Sequence, residues 1–240
     1  MFQQHHAQLQ AEAIAAYPNE ACWVITPGEC RQVRNIADDP RRHFRIDKRT
    51  MAAAHKRGLL AIVHSHPDGP DCPSEADMRG QLHTAVPWGI VSTDGERALE
   101  PFFWDANGEP PPLLGRGFRH GVTDCYALIR DYYRLEHGIV LPEFPRDWEW
   151  WHQGQDLYRE GFARAGFRQV SASEARAGDM WFSQIRSPVP NHGGVLVGNG
   201  LALHHKTARL ATDPTRLSAR EPIGRWLPYV TGWYRHEALE

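Results

Sequence analysis

LAIVHSHPDGPDCPSEAD, Leu60 to Asp77, decides how the first half of this chain folds and what it can bind. The apolar run from Leu59 to Val63 has strand character and delivers His64-Ser65-His66. Alternation along an extended backbone then puts both imidazoles on one side. Seven Pro-, Gly- and Asp-rich loop residues lead to Ser74 and, three further on, Asp77. Taken alone, Ser74 and Asp77 fit a helix N-cap and its N3 acid, opening a helix through Met78 and Leu82. With the two histidines they also offer two nitrogens and a carboxylate to one ion. Three protein ligands with a fourth position left open is the pattern of catalytic rather than structural zinc.

Working outward towards the N-terminus, residues 3 to 16 have helix-forming composition with Leu9, Ala13 and Ala16 on one face, ended by Pro18. Glu20 follows at once. Cys22 to Thr26 and Arg31 to Ile36 read as strands flanking a Pro27-Gly28 turn, and Asp47 caps a helix that closes at Gly58. Trp88 to Ser92 and Leu99 to Phe103 supply further strands, so the spacing predicts an α/β layer with its site at strand ends.

The string H-S-H-x7-S-x2-D, with Glu20 in Pro18-Asn19-Glu20-Ala21-Cys22, resembles the signature of the JAMM/MPN+ metallopeptidases. The resemblance implies that His64, His66 and Asp77 bind Zn2+, that Glu20 takes a proton from the attacking water, and that Ser74 hydrogen-bonds near the oxyanion. Trp23 stands where many relatives carry Gly, and its ring is expected to narrow the substrate groove.

The clearest break is Asp105-Ala-Asn-Gly-Glu-Pro-Pro-Pro112, because three prolines continue neither sheet nor helix. The expected organisation is therefore a domain over 1–106, a linker over 107–112 and a second, α+β domain over 113–240. In that domain Thr123 or Asp124 caps a helix with Leu128, Tyr132 and Leu135 on one stripe, leaving Cys125 in its first turn. Free N–H groups and aligned peptide dipoles there favour thiolate over thiol.

Asn191 to His205 reads as a hairpin turning through Gly198-Asn199-Gly200. A pairing whose partner numbers sum to about 396 sets His192 opposite His204, and a slip of one residue presents His205 instead. Cys125 is then the candidate nucleophile, His192 its base, and His204 or His205 the group orienting that base. Trp148 to Gly166 reads as a core-packed helix after a Trp-rich entry. Trp226 to Tyr234 reads as a closing strand.

Cys125, the H-x11-H hairpin and the Ala177-Gly-Asp-Met-Trp181 strand entry resemble the NlpC-type papain-like peptidases across most of 113–235. The usual D-C-S-G appears as D-C-Y-A, and Phe118 stands where an active-site Tyr is common. The resemblance places Asp124 and Phe118 in contact with the substrate.

The order of the two motif sets resembles the tail-tip assembly proteins of lambda-type tailed phages. That implies assembly in the host cytoplasm, a place at the virion tail tip with other tail-tip proteins as partners, and action on the host wall in the periplasm. The expected reaction is cleavage of peptidoglycan stem peptides at a D-glutamyl-diaminopimelate type bond, beside a second, zinc-dependent (iso)peptidase centre. The alternative is a structural assembly factor whose sites are inactive or process only tail partners.

At 240 residues the chain suits two modest domains. A net charge of −2, with basic residues interspersed among acidic ones, gives no electrostatic case for nucleic acid. The four cysteines lack the spacing of a disulfide framework. MFQQHHAQLQAEAIAAY has neither the basic nor the apolar region of a signal peptide, and no run approaches the roughly 18 apolar residues of a membrane span.

Overall fold

A computed structural model of the chain describes residues 1–206 and 208–240. The chain divides into two units, Met1–Gly108 and Glu109–Glu240.

In the first unit, α1 (His6–Ala16), β1 (Cys22–Thr26), β2 (Glu29–Val33), α2 (Lys48–Lys56), β3 (Ala61–Pro67), α3 (Glu75–Thr84), β4 (Trp88–Thr93) and β5 (Phe102–Trp104) follow in that order. The strands form one sheet, β2-β1-β3-β4-β5. β3 and β4 are parallel, with His64 beside Ile90 and His66 beside Ser92, and every other neighbouring pair is antiparallel. A parallel neighbour needs a crossover, and α3 supplies it. Leu9 and Ala13 of α1 close one face of the sheet over Trp23, Ile25, Val63 and Val91. Trp23 therefore fills the core and donates its indole N–H to Glu12 at 2.5 Å, so the expected narrowing of the substrate groove does not occur. The second and last strands also sit elsewhere than the sequence predicts, at 29–33 and 102–104.

The Asp47 carboxylate caps α2 by accepting the amides of Arg49 and Thr50, each at 3.0 Å. Such a cap contributes about 1 kcal/mol.

The second unit contains β6 (Phe118–Arg119), α4 (Cys125–His137), α5 (Leu157–Gly161), β7 (Phe167–Val170), β8 (Met180–Ser183), β9 (His192–Leu196), β10 (Leu201–His205), β11 (Thr212–Asp213), β12 (Ser218–Pro222) and β13 (Val230–His236). Six strands make an antiparallel sheet in the order β12-β10-β9-β8-β13-β7, while β6 and β11 pair separately. α4 packs Leu128, Ile129 and Tyr133 against Met180, Phe182, Val195 and Leu203. Leu135 is exposed, not part of the buried stripe. Gly138 ends α4 in the left-handed region (φ 68°), where a side chain would be strained.

The continuous helix expected before Gly166 is broken into a turn of 3-10 helix at Trp150–His152, the short α5, and another 3-10 turn at Ala163–Ala165. Likewise the closing strand begins only at Val230, and Trp226 stands before it at a bend. No helix among the described residues is long and apolar enough to cross a membrane.

Candidate functional site

In the first unit, β3 carries His64 and His66 and the first turn of α3 carries Asp77. His64 Nε2 lies 3.0 Å from His66 Nε2 and 3.2 Å from Asp77 Oδ1, and His66 Nε2 lies 3.4 Å from Asp77 Oδ2. Metal–ligand bonds of about 2.0–2.1 Å imply donor separations of about 3.3 Å in a tetrahedron, which the His64–His66 and His64–Asp77 Oδ1 distances approach, while His66 meets the other carboxylate oxygen. His66 Nδ1 donates to the Pro70 carbonyl at 2.9 Å, which fixes its tautomer and turns the Nε2 lone pair towards the cluster. The donor set and spacing thus fit Zn2+, with His64, His66 and Asp77 as the residues able to hold it.

Ser74 does two things at once. Its hydroxyl accepts the Asp77 amide at 3.1 Å and donates to Asp77 Oδ2 at 2.7 Å, while its own amide also reaches Oδ2 at 2.8 Å. The capping box of α3 and the carboxylate that faces the two imidazoles are one motif. Burial pushes the Asp77 carboxyl up, but the two imidazoles more than reverse it and leave it well below the usual range. Burial lowers His64, whereas Asp77 and the Pro70 carbonyl raise His66 against the same burial. Glu20 lines the same cleft of about 490 Å³, with Arg41, Arg42 and Trp88, and burial pushes its carboxyl up to about 7.

In the second unit Cys125 opens α4 directly after its cap. Asp124 is buried and accepts from the amides of Gly121 and Ala127, each at 2.9 Å, and from the Arg146 guanidinium at 2.7, 2.9 and 3.1 Å. Its acceptor sites are engaged by the fold, which makes it the fixed point beneath Cys125. Phe118 is buried against Trp148 and His205 and does not line the cavity onto which Cys125 opens.

That cavity is a slot of about 40 Å³ walled by Tyr126, Phe144, Trp150 and Tyr158, room for a small group or a water or two. The Cys125 Sγ has the Tyr158 hydroxyl at 3.0 Å and the Gly193 amide beside it. Tyr158 is the residue that sequence reasoning missed, because it was grouped with the core. The expected thiolate does not follow from the surroundings. Burial, then Asp124, pushes the thiol up to about 11, and the hydrogen bond from Tyr158 only partly opposes this.

His192 Nε2 lies 3.3 Å from His204 Nδ1, with both rings buried. The register differs from expectation: Leu196 pairs with Ala202, and His204 sits opposite Gly194. A slip of two residues keeps the face, so His192 and His204 meet diagonally. Close approach explains the glycines after His192, since a Cβ at Gly194 would come within 2.5 Å of the Leu203 carbonyl oxygen. His205 faces the other way, with Nδ1 3.4 Å from the Arg216 carbonyl and its ring edge-on to Phe118.

Residues 2–107 match the family of prokaryotic homologs of the JAB domain, and residues 100–221 match the NlpC/P60 family. Both are families of peptidases, so the architecture is a tandem of two peptidase-family domains. Tail tip assembly protein K of Escherichia phage lambda is 39% identical over 181 residues, 75% of this chain and 83% of that protein. Its counterpart from Escherichia phage N15 is 34% identical over 212 residues, 85% of this chain and 84% of the relative. A probable TtuB-protein conjugate cleaving protease of Thermus thermophilus is 43% identical over 53 residues, 21% of this chain and 35% of that protein. The chain belongs to the family of phage tail tip assembly protein K.

Proposed function

We propose that this tail tip assembly protein carries two hydrolytic centres, a zinc-dependent (iso)peptidase in residues 1–106 and a cysteine endopeptidase in 113–240, joined by the Pro-rich 107–112. In the first, His64, His66 and Asp77 would hold Zn2+, which would supply Lewis-acid polarisation of a peptide carbonyl. Glu20, a carboxyl lifted towards neutrality by burial, takes and returns the proton of the attacking water. In the second, His192 removes the Cys125 proton, the thiolate attacks the peptide carbonyl, and the amine leaves with the proton from His192; water then releases the acyl group. Asp124 contributes by fixing the start of α4, and Phe118 by packing behind His205. The substrate class is the peptidoglycan stem peptide, cut at a D-glutamyl-diaminopimelate type bond at the tail tip.

The observation that carries this reading is that the Cys125 sulfur, at a helix start, sits beside the amide of Gly193, the residue after His192 on β9, and that β10 sets His204 against His192. Digestion of purified sacculi tests it. Wild-type protein is expected to release peptide fragments whose termini identify the bond, and Cys125→Ala to release none; equal release by the variant would remove Cys125 as nucleophile. A second reading, an assembly factor with idle sites, is favoured by the narrow slot and the raised Cys125 thiol.

A further inference from the structure

His192, His204 and a third side chain, Glu221, lie on a diagonal across three neighbouring strands. β10 pairs with β12 so that His204 faces Ala219 and Ala202 faces Glu221. Glu221 is therefore offset from His204 by two residues on the same face, as His192 is on the other side. The result is a chain of contacts: His192 Nε2 to His204 Nδ1 at 3.3 Å, then His204 Nε2 to Glu221 Oε2 at 3.5 Å. Glu221 Oε1 in turn lies 3.8 Å from Lys206 Nζ.

The surroundings of His204 are unusual in one respect. Nδ1 also lies 2.5 Å from the His205 carbonyl oxygen. A carbonyl and an ionised carboxylate can only accept, so an oxygen that needs a proton faces each nitrogen of the ring. The form that serves both carries a proton on each nitrogen, so the site is built to receive the cation when a further proton reaches the pair. Trp181 and Trp226 pack against His192 and His204, with ring centroids 5.8 and 4.6 Å from His204, and keep the pair dry. In that setting burial holds His204 below the usual imidazole range, the His205 carbonyl and Glu221 opposing this without reversing it, and burial holds His192 well below that range too, so the pair is neutral until a further proton arrives. Lys206 acts in the opposite sense, His192 from β9 and the adjacent His205 are further titratable neighbours, and Arg216 and Arg225 line the cleft shared by Glu221 and Lys206.

We propose that Glu221 is a positioning residue of the cysteine centre: its carboxylate balances the positive charge that the His192–His204 pair acquires when Cys125 gives up its thiol proton. The proton leaves sulfur for His192 Nδ1, the ring nitrogen that Nε2's contact with His204 leaves available. The imidazolium charge is then shared through Nε2 and His204 Nδ1, with Glu221 at the far end. No bond other than S–H breaks and nothing is oxidised. The proposal rests on Cys125 and His192 acting as nucleophile and base.

Alkylation of Cys125 by iodoacetamide, followed by peptide mass spectrometry between about pH 6 and 12 on the full chain, tests it without a known substrate. Glu221→Gln is expected to slow labelling at pH 7 by about tenfold or more, the scale of one hydrogen bond to a charged group, and to move the labelling midpoint upward. Glu221→Asp should recover part of the loss. Lys206→Ala should change the rate in the opposite direction, which a purely structural contribution of this strand edge would not produce. In a His204→Ala background, Glu221→Gln should add nothing. An unchanged rate and midpoint in Glu221→Gln, or a full further loss in the His204→Ala background, would overturn the proposal. Wild-type labelling that is indifferent to His192→Ala would instead remove the cysteine reading, and this proposal with it.

Discussion

Replacing Asp124 by Asn tests whether the buried pair beneath Cys125 holds the second unit together. Asn keeps a side-chain oxygen that can cap α4, so the cap itself is largely conserved. What is lost is the negative charge facing Arg146, with contacts at 2.7, 2.9 and 3.1 Å in a site where both side chains are buried. Removing one partner of such a pair costs about 3–5 kcal/mol. Arg146 retains Glu143 at 2.8 Å and the Phe144 carbonyl at 2.6 Å, which argues for the lower end, about 3 kcal/mol. For a unit of this size that corresponds to a fall in Tm of roughly 10–15 °C. The pH dependence has a definite sign. Burial pushes the Asp124 carboxyl up, but Arg146, His120 and the amides of Ala127 and Gly121 outweigh it and hold it far below the usual range. Its contribution is therefore complete above the unfolded value of about 3.9 and is lost as pH falls towards the lower folded value. Calorimetric melts of wild type and Asp124→Asn should differ by the full amount from pH 7 to about pH 5, and the gap should narrow below about pH 4. A difference under about 3 °C at pH 7, or one that persists undiminished at pH 2, would refute the reasoning.

Metal analysis of purified protein should find about one zinc per chain, lost in the His64→Ala, His66→Ala double variant; full occupancy in that variant would reject the site. His204→Ala should impair stem-peptide cleavage more than His205→Ala, because His205 points to the Arg216 carbonyl, and the reverse ranking would show that the orienting group was misassigned. Tyr158→Phe removes the hydroxyl 3.0 Å from the Cys125 sulfur and should push the thiol further up, slowing alkylation at neutral pH by about three- to tenfold; an unchanged rate would show that this contact does not tune the thiol.

The parts of the two centres that are close in sequence are the parts the sequence reveals. His64, His66, Ser74 and Asp77 span one strand, one loop and one helix start, and each of those elements has a local signature: an apolar run, a Pro/Gly-rich turn and a capping box. Cys125 is legible for the same reason, since Asp124 marks the helix start. The hairpin register differs by two residues from the one the spacing predicts because it depends on which residues of the turn remain unpaired. Gly198, Asn199 and Gly200 all adopt positive φ, so the turn centre lies at Asn199 and not at Gly198. Tyr158 and Arg146 lie 33 and 22 residues from Cys125 and Asp124, on segments with no motif of their own, and only the packed structure brings them in. Trp226 shows the same limit. An aromatic residue before a strand reads as more strand, yet its ring covers two histidines.

The capping box at the start of α3 affects how lesions in the first unit must be interpreted. Asp77 Oδ2 already receives the amide and hydroxyl of Ser74, while Oδ1 is turned to His64. One side chain thus anchors a helix and faces the imidazoles, so an Asp77 variant that loses function confounds an unravelled first turn with a missing donor. Ser74→Ala separates them: it loosens the anchor while leaving every candidate donor atom in the chain.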